Sequence, residues 1–494
     1  MSAPLLSGET LLSLLPFILL AGGGAVVTLL GAWRRGWGGL TLFLFLVAAG
    51  ISLFPARDAA GGRAIWEGGY LLDGFGFALI LLLLGAGVFT LLLSQPVLAR
   101  EGKVRAEYFA LLLFSLSGMM LLVSTTNLLM LFLALELTSL PLYVLCGYHR
   151  EEERSGEAAL KYFVLGSFAS AVFLFGAALL FGATGTLDLA VMKSGDPLLS
   201  VAGLLLLLVG FLFKVAAVPF HMWAPDVYDG APTPITSFMA TAVKVAGFGV
   251  LIRLFSFSQA AGHPMAEMMG RAGAEGSLWW IALLTMTVGN LCALTQNNIK
   301  RMLAYSSIAH AGYLLIGLLP GSGAIDKSGM VYYLLSYLLM TSGAFAVVAA
   351  LSSREKGAEV VHLDRYAGMG YRRPFLGIAM TLFMISLGGI PPTAGFFGKY
   401  LLFRAAVERG LTALIVVAVL NSAASLYYYL RVVVVFYMRK TDHPVPVDDS
   451  LALRLAGLIA LLLVLWVGFV PDWGALPGVP TLLGWVGASV SCIP

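Results

Sequence analysis

Apolar windows of about 18 residues or more, the length that crosses a hydrocarbon core, recur along this chain from end to end. Fourteen of them are centred near residues 21, 46, 82, 115, 137, 170, 208, 243, 285, 310, 340, 388, 424 and 461. The connections between them are polar and short, with no stretch beyond about 20 residues that would accommodate a soluble domain. The pattern predicts an all-α membrane protein of about 14 transmembrane helices.

Two windows depart from a plain apolar helix. In "FLFKVAAVPFHMWAPD" (211–226) a lysine, Lys214, is followed five residues later by Pro219, and in "GGIPPTAGFFGK" (388–399) Pro391 and Pro392 interrupt a stretch that runs from Arg373 to Arg404. That stretch is about 30 residues long, too many for one straight span. Proline inside a helix frees a carbonyl that lipid cannot satisfy, so each break requires other helices or water around it. These are two expected broken helices.

The same region repeats. "NLLMLFLALELTSLPLYVLCG" (127–147) aligns with "NNIKRMLAYSSIAHAGYLLIG" (297–317) at an offset of 170, and "FLFKVAAVP" (211–219) falls on "FMISLGGIP" (383–391) at an offset of 172. The unit spans five helices, an odd number, so its two copies enter the membrane from opposite sides. Inverted repeats of this kind place ion sites at mid-bilayer beside discontinuous helices. The chain accordingly divides into helices one to three (1–104), a first five-helix repeat (105–260), a second (275–440), and a final helix with its tail (441–494).

Composition agrees. The chain of 494 residues is 59% hydrophobic and only 11% charged, with mean hydropathy +0.91, against about 25% charged residues in a soluble globular domain. The first span has no Lys or Arg before Arg34, so it lacks the basic region of a cleavable signal and is read as retained. Alternate connections differ in charge: the odd ones carry sixteen Lys and Arg, the even ones seven (Arg57, Arg63, Lys193, Arg271, Lys327, Arg404 and Arg409). This places the odd connections in the cytoplasm and both termini outside. The net charge of +4 is therefore a topology signal, not a nucleic-acid one. Three cysteines, Cys146, Cys292 and Cys492, fall short of the four thiolates of an iron–sulfur cluster, and there is no P-loop and no strand-led GxGxxG. No cofactor is expected in this chain.

The ionisable residues inside the windows carry the chemistry. Glu136 and Lys244 fall near mid-bilayer, Lys214 lies in the first broken helix, Lys399 in the outer half of the second, and His310 at the centre of the tenth span. One such lysine can snorkel or sit in a satisfied pair. Four charges at about 2.5–3.5 kcal/mol each together cost on the order of 10 kcal/mol, as much as the whole stability of a typical protein, which argues against a purely structural role. A lysine is held charged beside a carboxylate and gives up its proton more readily when the two are parted in a dry site, so a Lys–Glu arrangement can catch and release protons without a metal. Lys161, four residues after Glu157, reads equally as an interfacial pair or a relay; His221 reads as a relay or a hydrogen-bonded ring at the bend. Asp226 and Asp229 fit a turn and helix start, or a mouth that collects protons.

The stretches "FLALELTSLPLYVL", "EAALKYFVLGSFASAVFLFGAALLFGATGT", "KVAAVPFHMWAPDVYDGAPTPIT", "NIKRMLAYSSIAHAGYLLIG" and "GGIPPTAGFFGKYLLF" together resemble the proton-translocating, antiporter-like membrane subunits of bacterial respiratory complex I. The resemblance covers residues 70–440, and the Lys161 segment with "DVYDGAPTP" favours one of the three sister subunits. It implies that Glu136 is the coupling carboxylate paired with Lys214, that Lys244 is the central protonatable group and Lys399 the exit-side group, and that Lys161, His221 and His310 modulate. It also implies a bacterial inner-membrane location, sister antiporter-like subunits as partners, and flavin, iron–sulfur clusters and quinone in other subunits. Two rival readings remain: a subunit of a multi-subunit cation/proton antiporter, and a structural scaffold. Lysine offers sodium no oxygen ligand, and the buried lysines weigh against a scaffold.

Overall fold

The computed structural model describes residues 8–469 other than 34–36, 61, 63, 261, 320–326, 352–353, 356–357, 441–445 and 449. Arg34, Arg35, Arg63, Lys356, Cys492 and the tail 470–494 lie outside the described residues. The first helices are α1 (Gly8–Trp33), α2 (Gly38–Ala60), α3 (Gly74–Arg100), α4 (Ala106–Val123), α5 (Leu128–Cys146) and α6 (Glu153–Thr184). The middle of the chain forms α7 (Pro197–Lys214), α8 (Ala224–Gly230), α9 (Thr233–Phe257), α10 (Pro264–Arg271), α11 (Ala274–Leu294) and α12 (Ile299–Leu318). It ends with α13 (Lys327–Leu351), α14 (Met369–Arg372), α15 (Pro374–Gly388), α16 (Ala394–Glu408), α17 (Thr412–Met438) and α18 (Leu451–Phe469). Two short hairpins, β1–β2 (Ala64–Ile65 with Tyr70–Leu71) and β3–β4 (Arg354–Glu355 with Ala358–Glu359), lie in connections.

Each of the fourteen window centres falls on a helix. Among the described residues, twelve helices are long and apolar enough to cross a membrane: α1 to α7, α9, α11, α13, α17 and α18. The window near 310 is α12, twenty residues long and interrupted by Lys300, Arg301 and His310. The window near 388 divides into α15 and α16, fifteen residues each. Residues 105, 260 and 440 lie in connections between helices, and residue 275 lies in the first turn of α11.

Burial sorts the helices into a core and a rim. The most apolar window of α9 is 100% buried inside the chain and that of α13 94%, whereas those of α1, α6 and α17 are 33% buried. A helix apolar all round is a core helix in water and a lipid-facing one at the rim of a membrane bundle. Here α9 and α13 pack on each other, with α3, α4 and α12 against α9 and with α15, α16 and α18 against α13.

Both predicted breaks are present, and each settles its freed carbonyls differently. The first lies between the end of α7 at Lys214 and the start of α8, with Pro219 inside it; Ala216 there has φ of 57°. The carbonyl of Phe213 is met by the indole Nε1 of Trp223 at 3.1 Å, and the amide of Val218 donates to Thr285 Oγ1 at 3.0 Å. The second lies between α15 and α16, where Gly389 turns the chain at φ +84°, a conformation costly for any residue with a Cβ. Close packing follows: a Cβ on Gly395 would sit 1.9 Å from the Ser386 carbonyl oxygen. The bonds Val218–Pro219 and Pro391–Pro392 are cis. By contrast Pro141 does not interrupt α5, which runs unbroken through it.

The entrances to α5 and α12 are built alike. Asn127 caps α5 by accepting from the amides of Leu129 and Met130 and bridges to Asp188; Asn298 caps α12 by accepting from those of Lys300 and Arg301 and bridges to His362. Such a side chain satisfies two of the four amides left open at a helix start. The two capping asparagines stand 171 positions apart, against the offset of 170 in the sequence alignment.

Candidate proton path

The residues expected to carry protons lie in the interior of the bundle, with one partial exception. Lys214, Lys244, Lys399 and His310 are each no more than 5% exposed, while Glu136 on α5 is half-buried. None of the three lysines reaches lipid.

Lys214 ends α7, where a cation opposes the negative end of the helix dipole. Its ammonium donates to Ser139 Oγ at 2.7 Å and lies 3.4 Å from Tyr162 Oη. No ion pair within 4.0 Å joins Lys214 to Glu136; Ser139, on the same helix as the acid, is the hydrogen-bond partner of the ammonium. Three residues separate Glu136 and Ser139 along α5, which places them on one face. The Ser139 hydroxyl, donating back to Leu135 O at 2.6 Å, presents its lone pairs to the lysine. One carboxylate oxygen of Glu136, Oε1, is buried with no hydrogen-bond partner.

Further in, Lys244 at the middle of α9 donates to the Ser307 carbonyl of α12 and sits 5.4 Å from the centre of the Tyr337 ring on α13. One turn along α12, His310 is held from both sides. Its Nδ1 lies 2.5 Å from Tyr333 Oη and its Nε2 3.1 Å from Tyr429 Oη, which in turn meets Ser306 Oγ at 2.5 Å. A neutral imidazole both donates and accepts, as do hydroxyls, so Ser306, Tyr429, His310 and Tyr333 form a continuous chain of exchangeable protons.

Lys399, on α16, closes the second break. Its Nζ reaches Leu387 O at 3.1 Å, Gly388 O at 3.0 Å and Ser422 Oγ at 2.9 Å, with the Tyr313 ring 5.1 Å away. An ammonium has three donors, and three acceptors surround it. The carbonyls are those at the C-terminal end of α15, so the lysine that the resemblance implies as the exit-side group also caps the broken helix. Pro391 and Pro392 shape the turn beneath it.

The two secondary positions stand apart from the row. Lys161 is 39% exposed and pairs with Glu157 at 2.5 Å and with Asp226 at 2.7 Å. Asp226 also takes Arg301 at 2.5 Å, so it is the node of an ion-pair network rather than a bare turn residue. Asp229 accepts from Asn298 at 2.6 Å. His221 sits at the bend, half-exposed, with its Nδ1 buried and unbonded.

Sequence reasoning missed Ser139, Tyr162, Ser307, Tyr313, Tyr333, Tyr337, Ser422 and Tyr429, because hydroxyls in an apolar helix look like any other packing residue. Spacing offered a hint at two of them: Ser139 lies three residues after Glu136 and Tyr313 three after His310. It also missed two buried ion pairs at the ends of the bundle. Asp73, which caps α3 through the Gly76 amide, receives Arg253 of α9 in a two-bond fork of 2.8 and 3.0 Å. Lys300 at the start of α12 meets Glu359 of the β3–β4 hairpin at 2.9 Å and the Ala231 carbonyl at 2.6 Å.

Glu359 gives a pH prediction. Burial pushes its carboxyl up, but Lys300 and the Thr233 hydroxyl outweigh it, and the group is held down at about 2 from an ordinary 4.5. The folded value lies below the unfolded one, so the stabilisation is complete above pH 4.5 and disappears as pH falls toward 2; it amounts to about 3 kcal/mol. Thermal unfolding of the solubilised protein should lose midpoint across that window, and Glu359→Gln should remove most of that dependence.

With this geometry in view, comparison with known proteins becomes specific. Residues 125–425, which hold every member of the row, match the family described as "NADH:quinone oxidoreductase/Mrp antiporter, TM". The NADH-quinone oxidoreductase subunit N of Trichlorobacter lovleyi is 48% identical over 377 residues, 75% of each chain. That of Myxococcus xanthus is 40% identical over 98% of each chain. The chain belongs to the NADH-quinone oxidoreductase subunit N family. A chain of respiratory complex I from Thermus thermophilus, solved with bound aureothin, superposes on this chain with a TM-score of 0.78 at 37% identity, over 95% of this chain and all of the other. The fold is wider than subunit N: a chain of the Mrp complex from Dietzia superposes at 0.81 with 21% identity over 99% and 98% of the two chains, a likeness of fold alone.

Proposed function

We propose that this chain is a proton-translocating membrane subunit of a quinone-reducing respiratory complex I, moving protons through a buried Lys/Glu relay coupled to redox chemistry in other subunits. The observation that carries the reading is the row itself. Three lysines and a histidine, all essentially inaccessible, are strung across α7, α9, α12 and α16 beside two interrupted helices.

Protons enter from the Lys- and Arg-rich side toward Lys214 and Lys244, pass along the hydroxyl and imidazole groups of α12, α13 and α17, and leave at Lys399. Buried polar atoms that lack a protein partner, Glu136 Oε1 and Ser342 Oγ, support a path in which transient water completes the hydrogen bonds. Leaving such groups unmet permanently costs about 1–3 kcal/mol each. Lys399 adds the mechanical element. As an ammonium it fills all three acceptors around it; as a neutral amine it has two donors and must release one, so protonation there and the closure of the second break are linked. Glu136, the half-buried acid beside Ser139 and Lys214, is positioned to bias Lys214 electrostatically without a direct bond.

In this reading the chain itself performs no electron transfer. Flavin, iron–sulfur clusters and quinone belong to partner subunits, the neighbours in the membrane are sister antiporter-like subunits, and the assembly resides in the bacterial inner membrane with both termini of this chain outside. The test is to purify the complex containing this chain from native membranes, identify the subunits that travel with it, and reconstitute it in vesicles. Donor-driven acidification should accompany quinone reduction in the wild type and fall by at least about tenfold in Glu136→Gln. Unchanged pumping by a fully assembled Glu136→Gln complex would refute the relay.

A further inference from the structure

Helix α11 lies at the rim of the bundle, with 39% of its most apolar window buried inside the chain. It nevertheless sends an amide inward: Asn290 is 1% exposed. Its Nδ2 donates to Tyr313 Oη of α12 at 3.0 Å and to Asn421 Oδ1 of α17 at 3.2 Å, while the Tyr428 hydroxyl of α17 donates to its Oδ1 at 2.8 Å. Both amide hydrogens and the carbonyl oxygen are therefore in use.

The orientation of this amide is fixed by its neighbour. Asn421 Nδ2 reaches the Val417 carbonyl at 3.0 Å and Thr287 Oγ1 at 3.2 Å. A carbonyl only accepts, so Asn421 presents nitrogen to Val417 and oxygen to Asn290, and that oxygen in turn requires the nitrogen of Asn290. With the amide unable to flip, Tyr313 Oη is held as an acceptor and the Tyr428 hydroxyl as a donor. The hydrogen of Tyr313 is left to point away from α11. A polar cluster can join membrane helices in either amide orientation; one pinned in a single orientation also sets the direction of the hydroxyl groups around it.

The two tyrosines so oriented flank the row. The Tyr313 ring lies 5.1 Å from Lys399 Nζ and 5.8 Å from the His310 ring, so it fills the gap between those two groups. The Tyr428 ring lies 4.4 Å from that of Tyr429, the hydroxyl partner of His310. Asn421 directly precedes Ser422, which accepts from Lys399. We infer that Asn290 is a positioning residue for the last transfer, from the His310 group to Lys399. It carries no proton itself; it holds the Tyr313 ring between the two groups and fixes the sense of its hydroxyl. Misplacement of a transfer group by about 1 Å is enough to slow a step 100-fold. The inference rests on the relay reading proposed above.

The test uses the intact complex in vesicles, with donor-driven acidification measured in H2O and in D2O. Asn290→Leu, which keeps the branching of the side chain and removes its polar atoms, should lower the rate about tenfold and raise the solvent isotope effect, because proton transfer becomes the slower step. A merely structural loss reduces the number of working molecules and leaves that ratio unchanged. Asn421→Leu keeps Asn290 and both tyrosines and removes only the pin; it should raise the isotope effect as well, and it supplies the answer where Asn290→Leu does not assemble. An assembled variant of either kind that keeps the wild-type isotope effect overturns the assignment. Lys244→Met, measured alongside, separates the two readings: normal pumping by Lys244→Met removes the relay itself, whereas a defective Lys244→Met beside unaltered Asn290 and Asn421 variants removes this assignment alone.

Discussion

Lys244→Met is expected to lower proton translocation through this chain by at least about 100-fold, within the range that a positioned proton-transfer group supplies, while leaving the protein in the membrane. Lys244 has no ion-pair partner among the described residues; it donates to the Ser307 carbonyl and faces the Tyr337 ring. A methionine fits the same apolar volume, and replacing a buried charge by a packed apolar side chain is commonly neutral or stabilising. Loss of pumping therefore reports chemistry, not collapse. Lys244→Arg sharpens the experiment, because arginine keeps the positive charge and does not release it. If the position needs only a cation, the arginine variant pumps; if it needs a proton carrier, both variants are defective. Proton uptake by vesicles holding the purified complex, with subunit composition checked in parallel, distinguishes these results. Normal pumping by Lys244→Met would remove the central step of the relay.

The second large effect is on stability. Asp73→Ala strands Arg253 in a site where it is 4% exposed, and breaking a buried pair from one side costs about 3–5 kcal/mol. The same change removes the cap on α3 at the Gly76 amide, worth about 0.5–2 kcal/mol. Because Arg253 also donates to Val123 O at 3.1 Å, the pair ties the ends of α3, α4 and α9 together. Asp73→Ala should therefore reduce the yield of folded protein and lower its unfolding midpoint. Asp73→Leu combined with Arg253→Met should recover a large part of the loss, since it leaves no unpaired charge. A single Asp73→Ala variant with wild-type midpoint would show that the fork adds nothing to the fold.

The two predictions rest on features of different visibility. Lys244 stands out in the sequence because a charge in the middle of a 25-residue apolar helix is expensive anywhere in a bilayer. Asp73 and Arg253 do not, because each sits near the end of its span, where charged residues are ordinary. Only the fold brings together groups 180 positions apart. Lys300 shows the same limit: counted by sequence as one of the cations of a polar connection, it is 1% exposed and pairs with Glu359. Ser139 was not legible as the hydrogen-bond partner of Lys214, because only the packing of α7 against α5 brings that hydroxyl to the ammonium.

The sequence by itself determined what the bilayer charges for. Helix length, the two proline breaks, the asymmetry of Lys and Arg, and the small set of buried ionisable residues follow from the cost of exposing polar groups to hydrocarbon, and that cost is the same wherever a span sits. The tertiary structure alone decided which hydroxyls, rings and carbonyls complete each charge: Ser139 for Lys214, Tyr333 and Tyr429 for His310, and the end of α15 for Lys399. Hydrogen bonds act over about 3 Å and depend on which faces of packed helices meet. No periodicity along a chain of uniformly apolar helices records that choice.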